Sequence, residues 1–411
     1  MRPPAATREA LETELDAALA ARDRLAALPI RARAEALAGA ARRWRRDRAL
    51  AAAVAESSGL SPAMVDAVLP LAADALGARA MAALVEAELG PGAAAAPPEG
   101  PAVVLHVLAS NVPALGLPAI ALGVLVGAVV VVKSGREDPH SAPAFVDALR
   151  AELPELAATV VAAYWPGGTR AIEDALLARA DVAVLTGGDA ALAALAPRAR
   201  GRRILHGPRT SVAAVARDAL GDAAGVAAAI ARDASLHDQR GCLSPHAVWV
   251  EEGGAVSPDD FAGALVAALE ATRARLAAGR APVEERAAVR VAWDAAEHEA
   301  GTRLLGAPGA GVVLHADVAR RACVGGRTLR VHPIRDLTTL ADVLPAGSIE
   351  CVGIAGGDPE ALAPPLRRRG VARLCPVGRM QQPKLSWPRG QQAPLGALLG
   401  RAGDARLEVE R

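Results

Sequence analysis

Two hydrophobic periodicities divide the chain. From residue 5 to 90 apolar positions recur at helical spacing, as in "TREALETELDAALAARDRL" and "RARAEALAGAARRWRRDRALAAAVAES", which predicts a run of amphipathic helices. "GPGAAAAPPEGP", 90–101, breaks the pattern and reads as a linker. Short β-rich runs then alternate with helical stretches. Strand 102–108 leads through "ASNVP" to a helix over about 114–126 and a strand 128–133. "PHSAPAFVDALRAEL" reads as a helix, "ATVVAAYW" as a strand and "GGTRAIEDALLAR" as a helix. "DVAVLTGG" is a strand and turn, "DAALAALAPRA" a helix, "RRILHG" and "TSVAAVA" short strands, and 221–236 a helix. Strands separated by helices of about 10–15 residues predict a parallel, doubly wound sheet.

After Cys242 the alternation repeats more loosely: strand "HAVWVE", a helix opened by "SPDD", a second helix over about 282–298, then strands "GVVLHA", "TLRVHPI" and "SIECVGIA". The resulting division is N-terminal helices (1–90), an α/β domain (101–236), a second α/β domain (237–385) and an irregular tail (386–411). No internal repeat is visible.

Composition changes this picture little. At about 100–200 residues per domain, 411 residues suggest two or three domains. A hydrophobic fraction of 52% excludes a disordered chain. Lysine occurs at 133 and 384 alone; every other basic residue is Arg, which looks like coding bias. A net charge of +1 gives no reason to expect nucleic-acid binding. The run "RRWRRD", 42–47, reads as a solvated helix face, with an anionic partner as the alternative. Residues 101–132 carry no Asp, Glu, Lys or Arg and could span a bilayer by length. Asn111, Pro113 and Pro118 interrupt them, so a buried strand–turn–helix–strand unit is expected instead of a membrane span. Cysteines stand at 242, 323, 351 and 375 with no CxxC and no Cys/His cluster, so no metal site is expected. The N-terminus lacks an apolar signal core; free thiols in a reducing cytoplasm are the expectation.

Four places could carry chemistry. Cys242, in the polar turn "LHDQRGCLSP", reads either as a nucleophile with access from a turn between two α/β domains or as a small buried hydrophobe. Asn111 follows a strand at the sheet edge where ligands bind; its amide could face an oxyanion, or serve a turn or cap. Lys133 ends a Val-rich strand, where an amine can reach a ribose hydroxyl; chance is the alternative. The turn Thr186-Gly187-Gly188 allows close backbone approach and opens a helix that would favour phosphate, although any strand–helix turn can look like this.

In this order the four resemble the aldehyde dehydrogenase superfamily, and within it the LuxC-type acyl-CoA reductases. "LASNVPALGLPAIALGVLVGAVVVVKSGREDPHSAP" is similar to the superfamily's Trp-Asn-Phe-Pro segment and Lys-Pro-Ser-Glu strand end, "VLTGGDAAL" to its Phe-Thr-Gly-Ser turn, and "DQRGCLSP" to its Gly-Gln-x-Cys segment. The match runs over about 100–250 and is looser beyond. The resemblance implies an aldehyde-dehydrogenase-like fold of two doubly wound α/β domains: a Rossmann-variant dinucleotide-binding domain (101–236), on which the N-terminal helices (1–90) pack, and a catalytic domain (237–385). It implies Cys242 as acyl-accepting nucleophile, with Asn111 and the Cys242 N–H as oxyanion hole. Lys133, Ser134 and Thr186-Gly187-Gly188 would hold the dinucleotide.

Two departures refine it. Where hydrolytic relatives carry Glu-Leu-Gly-Gly, this chain reads "RRILHGPRTS" and has no carboxylate; His206 or His237 could act instead. Where many relatives have Lys-Pro-Ser-Glu, it has Lys133-Ser134-Gly135-Arg136, and Arg136 would accept a 2′-phosphate or else pair with Glu137 or Asp138 in a solvent loop. The expected activity is NADPH-dependent reduction of an acyl-CoA to an aldehyde through an acyl-cysteine, without metal. An acyl-activating partner enzyme and a homo-oligomer are also expected. An acyl-phosphate reductase, an ordinary aldehyde dehydrogenase and a non-catalytic scaffold are the alternatives.

Overall fold

A computed structural model describes residues 4–93, 100–401 and 403–410. The middle of the expected linker, 94–99, lies outside the described residues. The chain forms two compact units, Met1–Pro208 with Lys384–Ser386 and Gln392–Asp404, and Arg209–Pro383 with Trp387–Gln391 and Ala405–Arg411.

The first unit holds five strands, β1 (Val103–Val107), β2 (Val129–Lys133), β3 (Val160–Ala163), β4 (Val182–Thr186) and β5 (Arg202–His206), in the order β3-β2-β1-β4-β5. All pairs are parallel. Such a sheet is covered on both faces, which is why β2 is an unbroken buried run of Val. Leu11, Leu15 and Ala18 of helix Arg8–Ala27 pack with Val103, Leu105, Val129 and Val131, alongside Ile172 and Leu176 of helix Arg170–Arg179. The charge-free stretch 101–132 is β1, helix Gly116–Leu125 and β2. No single helix among the described residues is long and apolar enough to cross a membrane; the bent pair Pro62–Asp74 and Ala78–Leu89 passes by length and composition only. In "RRWRRD", Arg43 and Arg45 pair with Glu152 and Asp74, while Trp44 is buried and donates to Ser141 O.

The second unit holds β6 (Thr210–Val215), β7 (Pro245–Glu251), β8 (Thr302–Ala307), β9 (Ala310–His315), β10 (Thr328–Ile334), β11 (Ile349–Ala355), β12 (Arg373–Pro376) and β13 (Glu408–Val409). Their order is β13-β12-β11-β6-β7-β10-β9-β8, parallel except for the β8–β9 hairpin. Helices Ala223–Ser235 and Pro258–Arg275 bury Ala227, Ile230, Phe261 and Leu265 against one face. Leu340, Leu362 and Leu366 cover the other. The second helix starts as its sequence requires, with Ser257 Oγ accepting the Asp260 N–H at 3.1 Å.

The division departs from the sequence expectation at two places. It falls at 208/209 and not at 236, because β6 pairs with β11 and β7. Helix Ala223–Ser235 goes with β6. The expected tail is shared out as well: helix Pro394–Leu399 joins the first unit, whereas β13 pairs with β12 in the second. Strands β8, β12 and β13 were not expected.

Arg33 shows how the first unit's helices are locked. Its buried guanidinium donates to Leu25 O (2.7 Å), Leu28 O (3.0 Å) and Val124 O (3.1 Å), joining the end of one helix to the end of another. Arg33→Met keeps most of the stem volume but strands three carbonyls. At about 1–3 kcal/mol per unsatisfied group, partly relieved by water, the loss should be about 2–4 kcal/mol. Urea denaturation followed by tryptophan fluorescence checks this; an unchanged midpoint would contradict it.

Candidate active site

The expected dinucleotide residues gather on one edge of the first sheet. Adjacent strands β2, β1 and β4 end at Lys133, Val107 and Thr186, and the turns that follow carry Ser134–Arg136, Asn111 and Gly187-Gly188. The β1 and β2 turns lie back to back. A Cβ on Gly135 would sit 2.6 Å from Ala109 O and 2.9 Å from Ser110 Cα, so only glycine fits. The Arg136 N–H donates to Ser110 Oγ at 2.9 Å. Asp138 braces both turns, accepting the Ala114 N–H at 2.7 Å and the Ser141 N–H at 3.0 Å. The first bond holds Ala114 at φ 65°, a left-handed conformation.

Asn111 is exposed, and the helix after it takes no side-chain cap, so the cap role is not its own. Lys133 is buried, with Nζ donating to Ser134 O (3.2 Å) and lying 5.9 Å from the Trp165 ring centre. Burial lowers its pKa, and Glu173 opposes that. Ser134 is buried and its hydroxyl has no hydrogen-bond partner among the described residues. Arg136 is exposed and forms no ion pair among the described residues; Asp138 is committed to backbone amides instead. Gly187 donates its N–H to His206 O at 3.2 Å, and a Cβ on Gly188 would meet nothing, leaving that turn open. The helix it opens, Asp189–Leu195, has only seven residues.

Cys242 belongs to the second unit, where a strained turn presents it. His237, Asp238 and Gln239 take φ of 57°, 53° and 63°, three successive left-handed residues without a glycine. Side chains hold the turn. Asp238 receives Arg327 Nε (3.0 Å) and the Gly279 N–H (3.0 Å). Gln239 inserts between β7 and β10: Nε2 donates to Pro245 O (2.8 Å) and Thr328 O (3.0 Å), and Oε1 accepts the Thr328 N–H (3.0 Å). On the far side, Ser211 Oγ donates to Cys242 O at 2.7 Å and accepts the Cys351 N–H at 3.1 Å. Gln381 Nε2 joins Ser244 Oγ (3.0 Å) to Asp233 O (2.9 Å).

The half-buried Cys242 packs with Trp387 against Leu243, Cys351, Cys375 and Met380. Burial pushes its thiol above the ordinary range; Glu350 adds to that, while Arg389, Arg209 and its own backbone N–H pull it back. His237 is buried, its Nδ1 has no partner among the described residues, and desolvation lowers its pKa to about 4, so its ring is neutral near pH 7. His206 ends β5 in the first unit. Sequence reasoning missed Ser211, Arg209, Glu350 and Trp387. Only the fold brings them to Cys242, since they lie at least 31 residues from it or open strands whose motifs are unremarkable. Among the described residues no cluster of three His, Cys, Asp or Glu side chains could hold a metal.

A sequence model of the family described as "Acyl-CoA reductase (LuxC)" matches residues 25–398. A 158-residue segment is 29% identical to long-chain acyl-protein thioester reductase 2 of Photobacterium leiognathi, covering 37% of this chain and 32% of that protein. The matched segment therefore spans about a third of that relative. Among solved structures, aldehyde dehydrogenase 21 of Physcomitrella patens, in complex with succinate, has a TM-score of 0.75 at 16% identity over 97% of this chain and 89% of its own. An NAD-dependent benzaldehyde dehydrogenase of Corynebacterium glutamicum has a TM-score of 0.70 at 18% identity, over 92% and 87%. The fold is that of the aldehyde dehydrogenases.

The turn itself makes a stability prediction. Gln239→Glu is isosteric but, when ionised, sets an acceptor against the carbonyls of Pro245 and Thr328. It should cost about 2–4 kcal/mol at neutral pH. Native burial raises the introduced carboxyl's pKa, so the deficit relative to wild type should shrink as pH falls and the group protonates. Paired denaturation curves at pH 7 and 5 check this, and a deficit that grows towards pH 5 would refute it.

Proposed function

The chain belongs to the LuxC acyl-CoA reductase family, and on that premise we propose that it reduces an acyl-CoA to an aldehyde through an acyl-cysteine on Cys242, with NADPH as reductant. The observation that carries the reading is the Cys242 turn: a half-buried thiol on a rigid, strained turn, its own N–H beside the sulfur. The segment "RRILHGPRTS" at β5–β6 brings no carboxylate to activate water, which suits an acyl-cysteine that is reduced and not hydrolysed. The relative named as a thioester reductase supports an acyl thioester as donor.

In this reading the Cys242 sulfur attacks the thioester carbonyl. The oxyanion takes hydrogen bonds from the Cys242 N–H and the Asn111 amide, each worth about 3–4 kcal/mol in the transition state. The donor thiol leaves, and the acyl group stays on Cys242. The first sheet's edge fits a nicotinamide dinucleotide: the Gly135 turn admits no Cβ, the buried Ser134 hydroxyl lacks a partner, and Gly188 leaves open space. Lys133 and Ser134 would bind a ribose, Thr186-Gly187-Gly188 the phosphates, and Arg136 a 2′-phosphate. The chemistry that a bound reduced nicotinamide supplies is hydride to the acyl carbon. Cys242 then departs from the resulting hemithioacetal as the aldehyde forms. A reducing, cytoplasmic setting, an acyl-activating partner enzyme and a homo-oligomer complete the proposal.

The direct experiment is intact-protein mass spectrometry after incubation with a panel of acyl-CoAs and acyl phosphates without reductant. An adduct from acyl-CoA is expected, and Cys242→Ala should abolish it while the protein stays folded. Label surviving in that variant, or mapping to Cys323, Cys351 or Cys375, overturns the assignment.

Cofactor choice is tested separately. A guanidinium paired with a 2′-phosphate is worth about 1.5–3 kcal/mol, roughly ten- to a hundred-fold in affinity. NADPH should therefore be the better substrate in kcat/KM, and Arg136→Glu should shift preference towards NADH by a comparable factor. A wild type that prefers NADH, or a ratio untouched by the mutation, defeats the role of Arg136.

A further inference from the structure

We propose that Glu350 is the proton acceptor for the Cys242 thiol, the catalytic carboxylate that the β5–β6 segment lacks. The proposal rests on the reading of Cys242 as acyl acceptor. Strands β11, β6 and β7 are consecutive and parallel, so they begin at one edge of the second sheet. Cys242 lies three residues before β7, Arg209 immediately precedes β6, and Ile349-Glu350 opens β11. The edge is stitched together. The Thr210 N–H donates to Ser348 O at 3.0 Å. Ser211 Oγ bridges the Cys242 carbonyl and the amide directly after Glu350. The segment Trp387–Gln391 ties the same groups from above: Trp387 packs in the Cys242 cluster, and the Gly390 N–H donates to Glu350 Oε1 at 3.1 Å.

Glu350 is almost fully buried, which is costly for a carboxylate with no task. Among the described residues its ion pair is with Arg209, Nε to Oε2 at 3.3 Å. Arg389, stacked 6.0 Å over Trp387, is the other cation acting on it. Burial raises its pKa, against Arg209, the Gly390 N–H and Arg389. The charges acting on the Cys242 thiol are those of Arg389, Glu350 and Arg209, the same set. A thiol that burial keeps protonated needs a base, and a carboxyl shifted towards neutrality is better matched to it than an ordinary one.

The step balances without an oxidant. As Cys242 Sγ bonds to the acyl carbon, its proton passes to the Glu350 carboxylate. When the tetrahedral adduct collapses, the bond from carbon to the donor sulfur breaks, and that sulfur takes the proton from Glu350. The carboxylate is regenerated.

The test exploits a difference in sign. Alkylation by iodoacetamide, read at Cys242 by peptide mass spectrometry from pH 6 to 9, needs no acyl donor. If Glu350 accepts the proton, Glu350→Gln slows alkylation at pH 7 by about ten-fold or more, and acyl transfer by about 10²–10³-fold. If Glu350 is only a neighbouring charge, removing it eases ionisation of the thiol, and alkylation speeds up or stays the same; either result overturns the proposal. Glu350→Asp keeps a carboxylate and should recover part of the rate; a loss equal to that of the Gln variant in a folded protein also overturns it. Should the Gln variant not fold, the wild-type profile decides. Its alkylation rate must show an inflection below that of the thiol itself, and a single thiol titration sinks the idea. A Glu350-dependent alkylation rate with no acyl adduct would instead fault the acyl-CoA reading and leave the pairing of Glu350 with Cys242 intact.

Discussion

The Cys242 turn of the second unit depends on one buried amide. Gln239 makes three hydrogen bonds to the backbones of β7 and β10, behaving like one more residue in the ladder between them. That anchorage holds three consecutive non-glycine residues in the left-handed region, at about 1–2 kcal/mol each. No local propensity would choose this conformation. It persists because Gln239 and the Asp238–Arg327 pair over-determine it. The effect is to turn the chain sharply between helix Ala223–Ser235 and β7, so that Cys242 stands at the strand edge with its carbonyl on Ser211.

Rigidity alone would give a poor nucleophile. Cys242 sits among Leu243, Cys351, Cys375, Met380 and Trp387, an environment that favours the neutral thiol. His237, on the same turn, is buried and neutral, so it lends the thiol no positive charge. What remains is the charge of Glu350 on β11, of Arg209 just before β6 and of Arg389 in the segment Trp387–Gln391. An ion pair between a buried carboxylate and a partly exposed guanidinium is weak evidence of stabilisation by itself, because desolvation offsets much of the attraction. Its position on the same sheet edge as Cys242 is the more informative fact.

How much of this could be read from the sequence follows from the physics of each signal. Strands β1, β2 and β4 were legible because a parallel sheet buried on both faces demands continuous apolar runs, and "AVVVVK" has no other use. The Asn111, Lys133, Thr186-Gly187-Gly188 and Cys242 segments were legible as an ordered set. The boundary at 208/209 was not, because β5 and β6 are adjacent short strands whose texture does not say which sheet each joins; pairing with β11, more than 130 residues away, decides it. The left-handed run was hidden because it contains no glycine. Glu350, in "SIECVG", reads as one polar residue in a buried strand until β11 is seen to lie beside β6. Strand β12 is four residues long and β13 two, too short for any periodicity.

Lys133 can be weighed against the chain's buried arginines. Arg33, Arg327 and Arg373 each spend Nε and both terminal nitrogens on carbonyls or carboxylates of the protein. Each is a fixed fork that closes a structural junction, as a planar guanidinium does well. Lys133 is buried too, yet its ammonium has one hydrogen bond, to the neighbouring carbonyl of Ser134, and an aromatic face. An ammonium has three donors, so two find no acceptor among the described residues. A structural cation saturates its donors on the protein, whereas a binding cation keeps some in reserve for its ligand. Beside it stand the partnerless Ser134 hydroxyl and a Gly135 turn that excludes any Cβ. In a chain that otherwise turns to arginine almost everywhere, a lysine with donors to spare at the end of β2 suits the ribose-binding role proposed for it.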